Sequence, residues 1–310
     1  MSIDDSCEFL FSEGGPYWHL CTPGEFQSVI FKEREDYVFG MNLVAWCVAH
    51  YEGAIKIYTF QLMSNHFHFV LSGDYSIVYE FFALLKKRLS RYLASKNSDT
   101  DIKKLDCNFF EVKDLQYIRT VIAYVNRNGY LVDRDSTPYN YQWGANRFFF
   151  APAIEYETRK YLSTVSKRKL GAIFSTHDIQ FPETYYFTGN YVSPASYCSI
   201  TAAEQLYRNA HDYFHFVSRR VESFSDIAKE LGDYVAYTDE EIYAAAVTIS
   251  MGNYKMKSPK LLGVSEKMQL AKELKYKYNA SIKQMRRILG MDERLLNELF
   301  PVPAGFKTSK

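Results

Sequence analysis

The clearest chemical signal in the sequence is a pair of histidines separated by one residue. His66 and His68 lie in the segment Asn65-His66-Phe67-His68. Alternate residues of a strand point to the same face of a sheet, so the two imidazoles are expected side by side. Such a pair can hold a divalent metal ion. The segment therefore predicts a metal site on a sheet face, with an incidental structural pair as the alternative.

A later segment, DLQYIRTVIAYVNRNG, places polar groups on one face of a predicted helix. Tyr117, Tyr124 and Asn128 fall on this face, beside an apolar stripe that would pack on a sheet. A tyrosine hydroxyl, with a pKa of about 10, is a weak nucleophile near neutral pH. Nucleophilic chemistry at this helix therefore needs a Lewis acid and a fixed geometry. Without a metal nearby, these tyrosines are interpreted as structural.

The elements that would position these residues alternate along the first half of the chain. The apolar patterns predict four strands and three helices, at Tyr17–Cys21, Glu33–Tyr51, Ala54–Met63, His66–Leu71, Tyr75–Ser95, Cys107–Val112 and Asp114–Asn128. Gly129 is predicted to end the last helix. This order implies an α+β fold of the ferredoxin-like type, an antiparallel sheet with helices on one face. The opposite face would then be free for ligands.

The whole chain divides into three predicted regions. Residues 1–150 form the predicted sheet domain, and residues 151–254 form a mixed, mostly helical region in which no chemistry is found. Residues 255–310 read as short helices, with Ser281 as a cap and Gly290-Met291-Asp292 as a turn. The last region is predicted to be a helix-turn-helix unit.

Two clusters of positive charge are candidates for binding a phosphate backbone. The tail from residue 254 holds 13 Lys and Arg against 5 Asp and Glu, although the whole chain has a net charge of only +1. The predicted contacts in the tail are Lys283, Arg286, Arg287 and Arg294. The predicted contacts on the helix after the histidines are Lys86, Lys87, Arg88 and Arg91. A solvated helix surface is the alternative for both clusters.

The cysteines and the apolar runs exclude several classes of protein. The five cysteines include no CxxC pair, which disfavours a disulfide framework or a thiolate zinc site. The N-terminus is acidic and has no signal-peptide pattern. No run of about 18 apolar residues occurs, as a membrane helix would require. These patterns predict a soluble, cytoplasmic protein without a membrane partner.

Both chemical segments resemble one known family, the single-tyrosine HUH transposases, and in particular the REP-associated tyrosine transposases. The stretch IYTFQLMSNHFHFVL resembles the family's Met-Pro-Asn-His-hydrophobic-His strand, and AYVNRNGYLV resembles its Tyr-Ile-x-x-Asn-Pro helix. PYWHLCT matches the opening strand. The resemblance covers about residues 15–150. Ser64 and Gly129 stand where the family has prolines, which puts the local backbone shape in doubt more than the chemistry.

When the family's motifs are matched to this sequence position by position, the resemblance assigns a role to four residues. It implies that His66 and His68 hold Mg²⁺ or Mn²⁺, that Tyr124 is the nucleophile, and that Asn128 is a further ligand or orienting group. The implied product is a covalent 5′-phosphotyrosine with a free 3′-hydroxyl. Relatives recognise hairpin-forming, palindromic ends, so the expected partner is single-stranded or hairpin DNA. A monomer or homodimer in a bacterial-type cytoplasm, associated with the nucleoid, is expected.

Several alternatives remain open from the sequence. Tyr117, two turns before Tyr124, is the alternative nucleophile. His19 could border the site or be a hydrogen-bonded core residue. The whole protein could be a domesticated DNA-binding protein that keeps the fold and has lost catalysis. A replication-initiator nickase of the same superfamily ranks lower, since no helicase motif or second tyrosine motif is found.

Overall fold

The first part of the chain forms a four-stranded antiparallel sheet with helices on both faces. The computed structural model describes residues 2–22, 29–96, 102, 105–132, 139–151, 159–218, 239–278 and 280–300. The strands are β1 (Tyr17–Cys21), β2 (Lys56–Leu62), β3 (Phe67–Ser72) and β4 (Asn108–Val112). The helices are α1 (Ile3–Gly14), α2 (Arg34–His50), α3 (Tyr75–Ser95) and α4 (Leu115–Val132). The predicted α+β class and antiparallel sheet are confirmed.

The sheet has the strand order β2-β3-β1-β4, with every neighbouring pair antiparallel. The two central strands are therefore β3 and β1. Central strands are hydrogen-bonded on both sides, which fixes the positions of the side chains that they carry. His68 on β3 and His19 on β1 both belong to this central pair.

Side chains of β3 point alternately to the two faces of the sheet, and a helix covers each face. Phe69 contacts Phe81 of α3, with ring centroids 5.6 Å apart. His68 points the other way and contacts Tyr124 of α4, with ring centroids 5.8 Å apart. The prediction that helices cover only one face is therefore wrong. The second face is not free for ligands, because α4 packs across β2 and β3.

Two predicted boundaries near the site also differ from the structure. Strand β3 begins at Phe67 rather than at His66, because the His66 carbonyl accepts a hydrogen bond from the Met63 backbone N–H within the preceding turn. Helix α4 continues through Gly129 to Val132 instead of ending at Asn128. A glycine inside a helix costs only about 1 kcal/mol, which the packing of a buried helix can offset.

Residues 159–218 pack with the sheet domain in one compact unit, so the structure shows no boundary after residue 150. They form a small sheet and three helices, namely β5 (Lys160–Tyr161), α5 (Lys167–Phe174), β6 (Tyr186–Thr188), β7 (Tyr191–Val192), α6 (Ile200–Glu204) and α7 (Ala210–Val217). The Ser199 backbone N–H donates to the Ile57 carbonyl of β2 at 2.7 Å. This segment therefore extends the core around the large sheet.

The described residues of a second compact unit form four α-helices, α8 (Asp239–Tyr254), α9 (Val264–Tyr278), α10 (Ile282–Leu289) and α11 (Glu293–Leu299). Ser281 and Gln284 form a reciprocal capping box at the start of α10. Gly290 ends this helix with a φ of 63°, and the Asp292 carboxylate accepts the Arg294 backbone N–H at the start of α11. These local caps agree with the sequence. Among the described residues, no helix is long and apolar enough to cross a membrane.

Candidate functional site

The candidate site lies on the sheet face that α4 covers. His19 and His68 project from adjacent central strands, in a register that pairs His19 with Val70 and Cys21 with His68. The two histidines are therefore diagonal neighbours on one face. Their rings are stacked, with centroids 5.4 Å apart and planes 7° apart. His19 Nε2 lies 3.2 Å from His68 Nδ1.

His66 joins this cluster from the turn before β3. Its ring centroid lies 5.1 Å from that of His68, and the two planes are nearly perpendicular at 86°. His66 Nδ1 donates to the Asn65 side-chain oxygen at 2.8 Å. Since a neutral imidazole carries one proton, this hydrogen bond leaves the lone pair of His66 on Nε2. Three histidine rings thus lie within one cluster.

Helix α4 adds Tyr124 and Asn128 to the cluster. The Tyr124 ring lies edge-on to both histidines, 5.8 Å from His68 and 6.4 Å from His19 between centroids. The Asn128 amide nitrogen lies 3.2 Å from His68 Nε2. The structure therefore brings together the four residues that the resemblance assigns to catalysis. Tyr117, the alternative nucleophile, lies in the first turn of α4 and is half-buried.

Burial sets the charge state of the histidines. His19 and His68 are fully buried, and Tyr124 is only 1 % exposed. Burial lowers the pKa of His68 to about 3. Burial, and then the nearby His68, hold the pKa of His19 well below its usual range. Both rings are therefore neutral at pH 7 and each has one unprotonated nitrogen. A metal ion that binds such a nitrogen does not compete with a proton for it.

The residues at this site fit a divalent cation in donor type and neighbourhood. Both His66 and His68 can present Nε2, and the Asn128 amide adjoins His68, where a rotated amide would offer its oxygen. Imidazole nitrogen and amide oxygen are suitable ligands for several divalent ions. Within the described part of the chain, no group of three or more His, Cys, Asp or Glu is arranged to hold a metal. The candidate set is thus two imidazoles and one amide.

The basic residues of α3 lie on the other side of the sheet, which corrects their predicted place beside the site. Helix α3 packs on the face of Phe69, opposite to His68. Arg88 donates to the carbonyls of Phe174 and Ser175, at the end of α5, and lies over the Trp46 ring. Arg88 therefore has a structural role. The remaining cations of this cluster are at least partly exposed, namely Lys86, Lys87 and Arg91.

The cations predicted in the C-terminal unit lie on the surface of α10 and α11. The exposed set is Lys283, Arg286, Arg287 and Arg294. Arg286 forms an ion pair with Glu293 of the next helix, at 2.6 Å. This pair bridges α10 and α11, so Arg286 contributes to the geometry of the turn as well as to the surface charge.

Sequence reasoning missed Asn126, which anchors α4 from within. Its side-chain oxygen accepts from the Thr59 hydroxyl of β2, and its amide donates to the Tyr213 hydroxyl of α7 at 2.9 Å. Its carbonyl accepts from the Gln61 side chain at 2.9 Å. Asn126 is one of several polar residues in α4, so the sequence gives no distinct signal for its role.

Comparison of the chain with protein-family models, with curated proteins and with solved structures found no match.

Proposed function

We propose that this chain cleaves and rejoins single-stranded DNA as a single-tyrosine HUH enzyme, with Tyr124 as the nucleophile. The observation that carries the proposal is the packing of Tyr124 against His68, which Asn128 also contacts. The β-α-β-β-α-β order and the strand order β2-β3-β1-β4 support a ferredoxin-like HUH domain. The fold and the residue cluster thus agree with what the sequence resemblance implies.

In the proposed reaction, the Tyr124 hydroxyl loses its proton and its oxygen bonds to a DNA phosphorus. The bond from phosphorus to the 3′-oxygen breaks, and that oxygen takes up a proton. The protein is left with a 5′-phosphotyrosine and the DNA with a free 3′-hydroxyl, and the reverse reaction with a second 3′-hydroxyl joins strands. A divalent ion held by His66, His68 and Asn128 supplies Lewis-acid polarisation of the phosphate when bound.

The proposed reaction requires α4 to move relative to the sheet. Tyr124 is 1 % exposed and His68 is fully buried, so a DNA phosphate cannot reach either residue while α4 covers this face. Binding of the DNA must therefore supply the free energy for this rearrangement.

Covalent trapping tests the nucleophile. A labelled single-stranded oligonucleotide whose sequence folds into a hairpin is incubated with the protein and Mg²⁺ or Mn²⁺, then resolved under denaturing conditions. We expect a covalent adduct with the wild type and with Tyr117→Phe, but none with Tyr124→Phe. Tyr117→Phe is the matched control, because it removes the same hydroxyl from the same helical face. An adduct of equal yield in Tyr124→Phe would refute the assignment.

A second candidate function is DNA binding without catalysis, the domesticated form of the same fold. The observation that favours it is the complete burial of Tyr124 and His68, together with hydrogen bonds at both ring nitrogens of His68. This candidate predicts that hairpin DNA binds equally well with EDTA and with metal, and that no adduct appears with either metal ion. The trapping experiment therefore separates the two functions.

For the second unit we propose a helix-turn-helix contact with DNA. The three-residue turn between α10 and α11 and the exposed cations of these helices support it. Phosphate contacts of this kind make affinity depend on salt concentration.

A further inference from the structure

His19 is the one histidine of the cluster to which the resemblance assigns no role. Its ring is fully buried, and Nε2 lies 3.2 Å from His68 Nδ1. Its other ring nitrogen, Nδ1, has no hydrogen-bond partner among the residues that the structure describes. A buried polar group without a partner is unfavourable, and an apolar side chain would fill the same space without it. Packing alone therefore does not account for a histidine at this position.

The hydrogen bonds of the cluster define where each proton lies. The Asn128 amide nitrogen is a donor, so His68 Nε2 accepts from it and carries the lone pair. The single proton of the neutral His68 ring is then on Nδ1, which donates to His19 Nε2. The proton of His19 is consequently on its own Nδ1. All three side chains thus form a hydrogen-bond chain with one direction.

We propose that His19 is a positioning residue that accepts the Nδ1 proton of His68 and so keeps the Nε2 lone pair of His68 directed toward Asn128 and the metal position. This inference rests on the proposed function, which makes His68 a metal ligand. Asn65 has the same relation to His66, since it accepts the Nδ1 proton of that ring. Metal-binding histidines generally donate their second N–H to such a partner, which fixes the tautomer and the ring orientation.

The test uses the full-length chain labelled with ¹⁵N-histidine, first freed of metal with EDTA. The ring nitrogens of His68 are assigned by their loss in His68→Asn, and two-bond ¹H–¹⁵N spectra report its tautomer. We expect the Nδ1-protonated form in the wild type and a mixture of tautomers in His19→Phe. Mn²⁺ affinity, measured by electron paramagnetic resonance, is expected to fall about 10–100-fold in His19→Phe.

Two further variants separate positioning from packing. His19→Gln places an amide oxygen where Nε2 stands and is expected to restore the tautomer and most of the Mn²⁺ affinity. Val70→Ala is the packing control, because Val70 is buried and pairs with His19 in the sheet but makes no side-chain hydrogen bond to His68. It is expected to lower the melting temperature while leaving Mn²⁺ affinity unchanged.

The outcomes distinguish a failure of this inference from a failure of the proposed function. A wild-type His68 protonated on Nε2, or an unchanged His68 tautomer in His19→Phe, would overturn the role of His19 even if the DNA adduct forms. An equal loss of Mn²⁺ affinity in Val70→Ala and His19→Phe would overturn it as well. If the wild type binds no Mn²⁺ and forms no adduct, the proposed function fails and the metal-directing role of His19 fails with it, while the metal-free spectra still decide whether His19 sets the tautomer of His68.

Discussion

The two buried histidines predict that the sheet-containing unit loses stability as the pH falls below 6.5. In the folded protein, burial lowers the pKa of His68 to about 3 and holds that of His19 well below its usual range. In the unfolded chain both groups titrate near 6.5. Below that pH the unfolded chain binds protons that the folded chain does not, so the free energy of unfolding decreases. For His68 the decrease continues until the pH approaches its folded pKa of about 3.

The expected magnitude follows from the two shifts. Each histidine changes the free energy of unfolding by about 1.4 kcal/mol per pH unit within this window. From pH 7.5 to pH 5.0 the loss is about 2 kcal/mol for each ring and about 4 kcal/mol for both. Since domains are typically stable by about 5–15 kcal/mol, this loss is readily measurable.

Urea unfolding in EDTA at pH 5.0 and 7.5 measures this effect. All three tryptophans, Trp18, Trp46 and Trp143, belong to the unit with the large sheet, so their fluorescence reports on that unit. The matched comparison is the double variant His19→Gln/His68→Gln, which keeps every carboxylate of the wild type. We expect the wild type to lose about 4 kcal/mol more than the double variant between these pH values.

A double variant that loses as much stability as the wild type would refute the reasoning. It would mean that the histidines bind protons in the folded state, and therefore that α4 does not exclude water from them. The single variant His68→Gln is an internal check, because it keeps the His19 ring. It should lose about half of the additional free energy of unfolding that the wild type loses relative to the double variant.

Three further predictions concern the supports of the site and the basic surface. Asn126→Ala leaves the hydroxyls of Thr59 and Tyr213 without their partner and should lower the free energy of unfolding by about 2–4 kcal/mol in urea titrations; a loss below about 1 kcal/mol would contradict the anchoring role. Gly144→Ala places a methyl group 2.6 Å from the Phe60 carbonyl oxygen of β2 and should lower the melting temperature by several degrees in calorimetry. An unchanged melting temperature would show that the backbone around Gly144 shifts without cost. When the affinity for hairpin DNA is measured at several salt concentrations, Lys283→Ala/Arg287→Ala should reduce the slope of log affinity against log salt concentration by about 2. The charge-matched variant Lys86→Ala/Lys87→Ala should leave this slope unchanged. Equal changes in both variants would refute a specific contact through the C-terminal cations.

Local signals in the sequence were sufficient for several elements. Strand β1 has the predicted bounds, because a short apolar run between turn formers leaves few alternatives. The caps of α10 and α11 follow from Ser281, Gly290 and Asp292, whose side chains or backbone conformations act within three or four residues. The clustering of Tyr124 with His68 was predicted only through the resemblance, since the two residues lie on different elements.

The covering of the histidine face could not be read from local patterns. Helix α4 was expected to bury one stripe, but residues 121–128 are all buried. Its second side packs against α7, and the contacts that hold it join residues far apart in sequence, such as the bond from Asn126 to Tyr213, 87 positions later. The polar residues of α4, such as Asn126, predict a solvent-exposed face, and their burial depends on long-range packing that the local pattern does not report. The same contacts explain why no boundary follows residue 150.

The position of α4 between the large sheet and α7 has a kinetic consequence. Tyr207 donates to the Arg119 carbonyl, and Tyr213 accepts from Asn126, so residues beyond position 200 hold the helix from the side away from the histidines. Under the proposed chemistry, the observed rate is the intrinsic rate multiplied by the fraction of molecules with α4 displaced. Tyr213→Phe would raise that fraction by weakening a restraint, and so accelerate adduct formation without touching a reacting atom. Restraint by α7 would thus act as an intramolecular inhibitor whose strength is encoded far from the nucleophile.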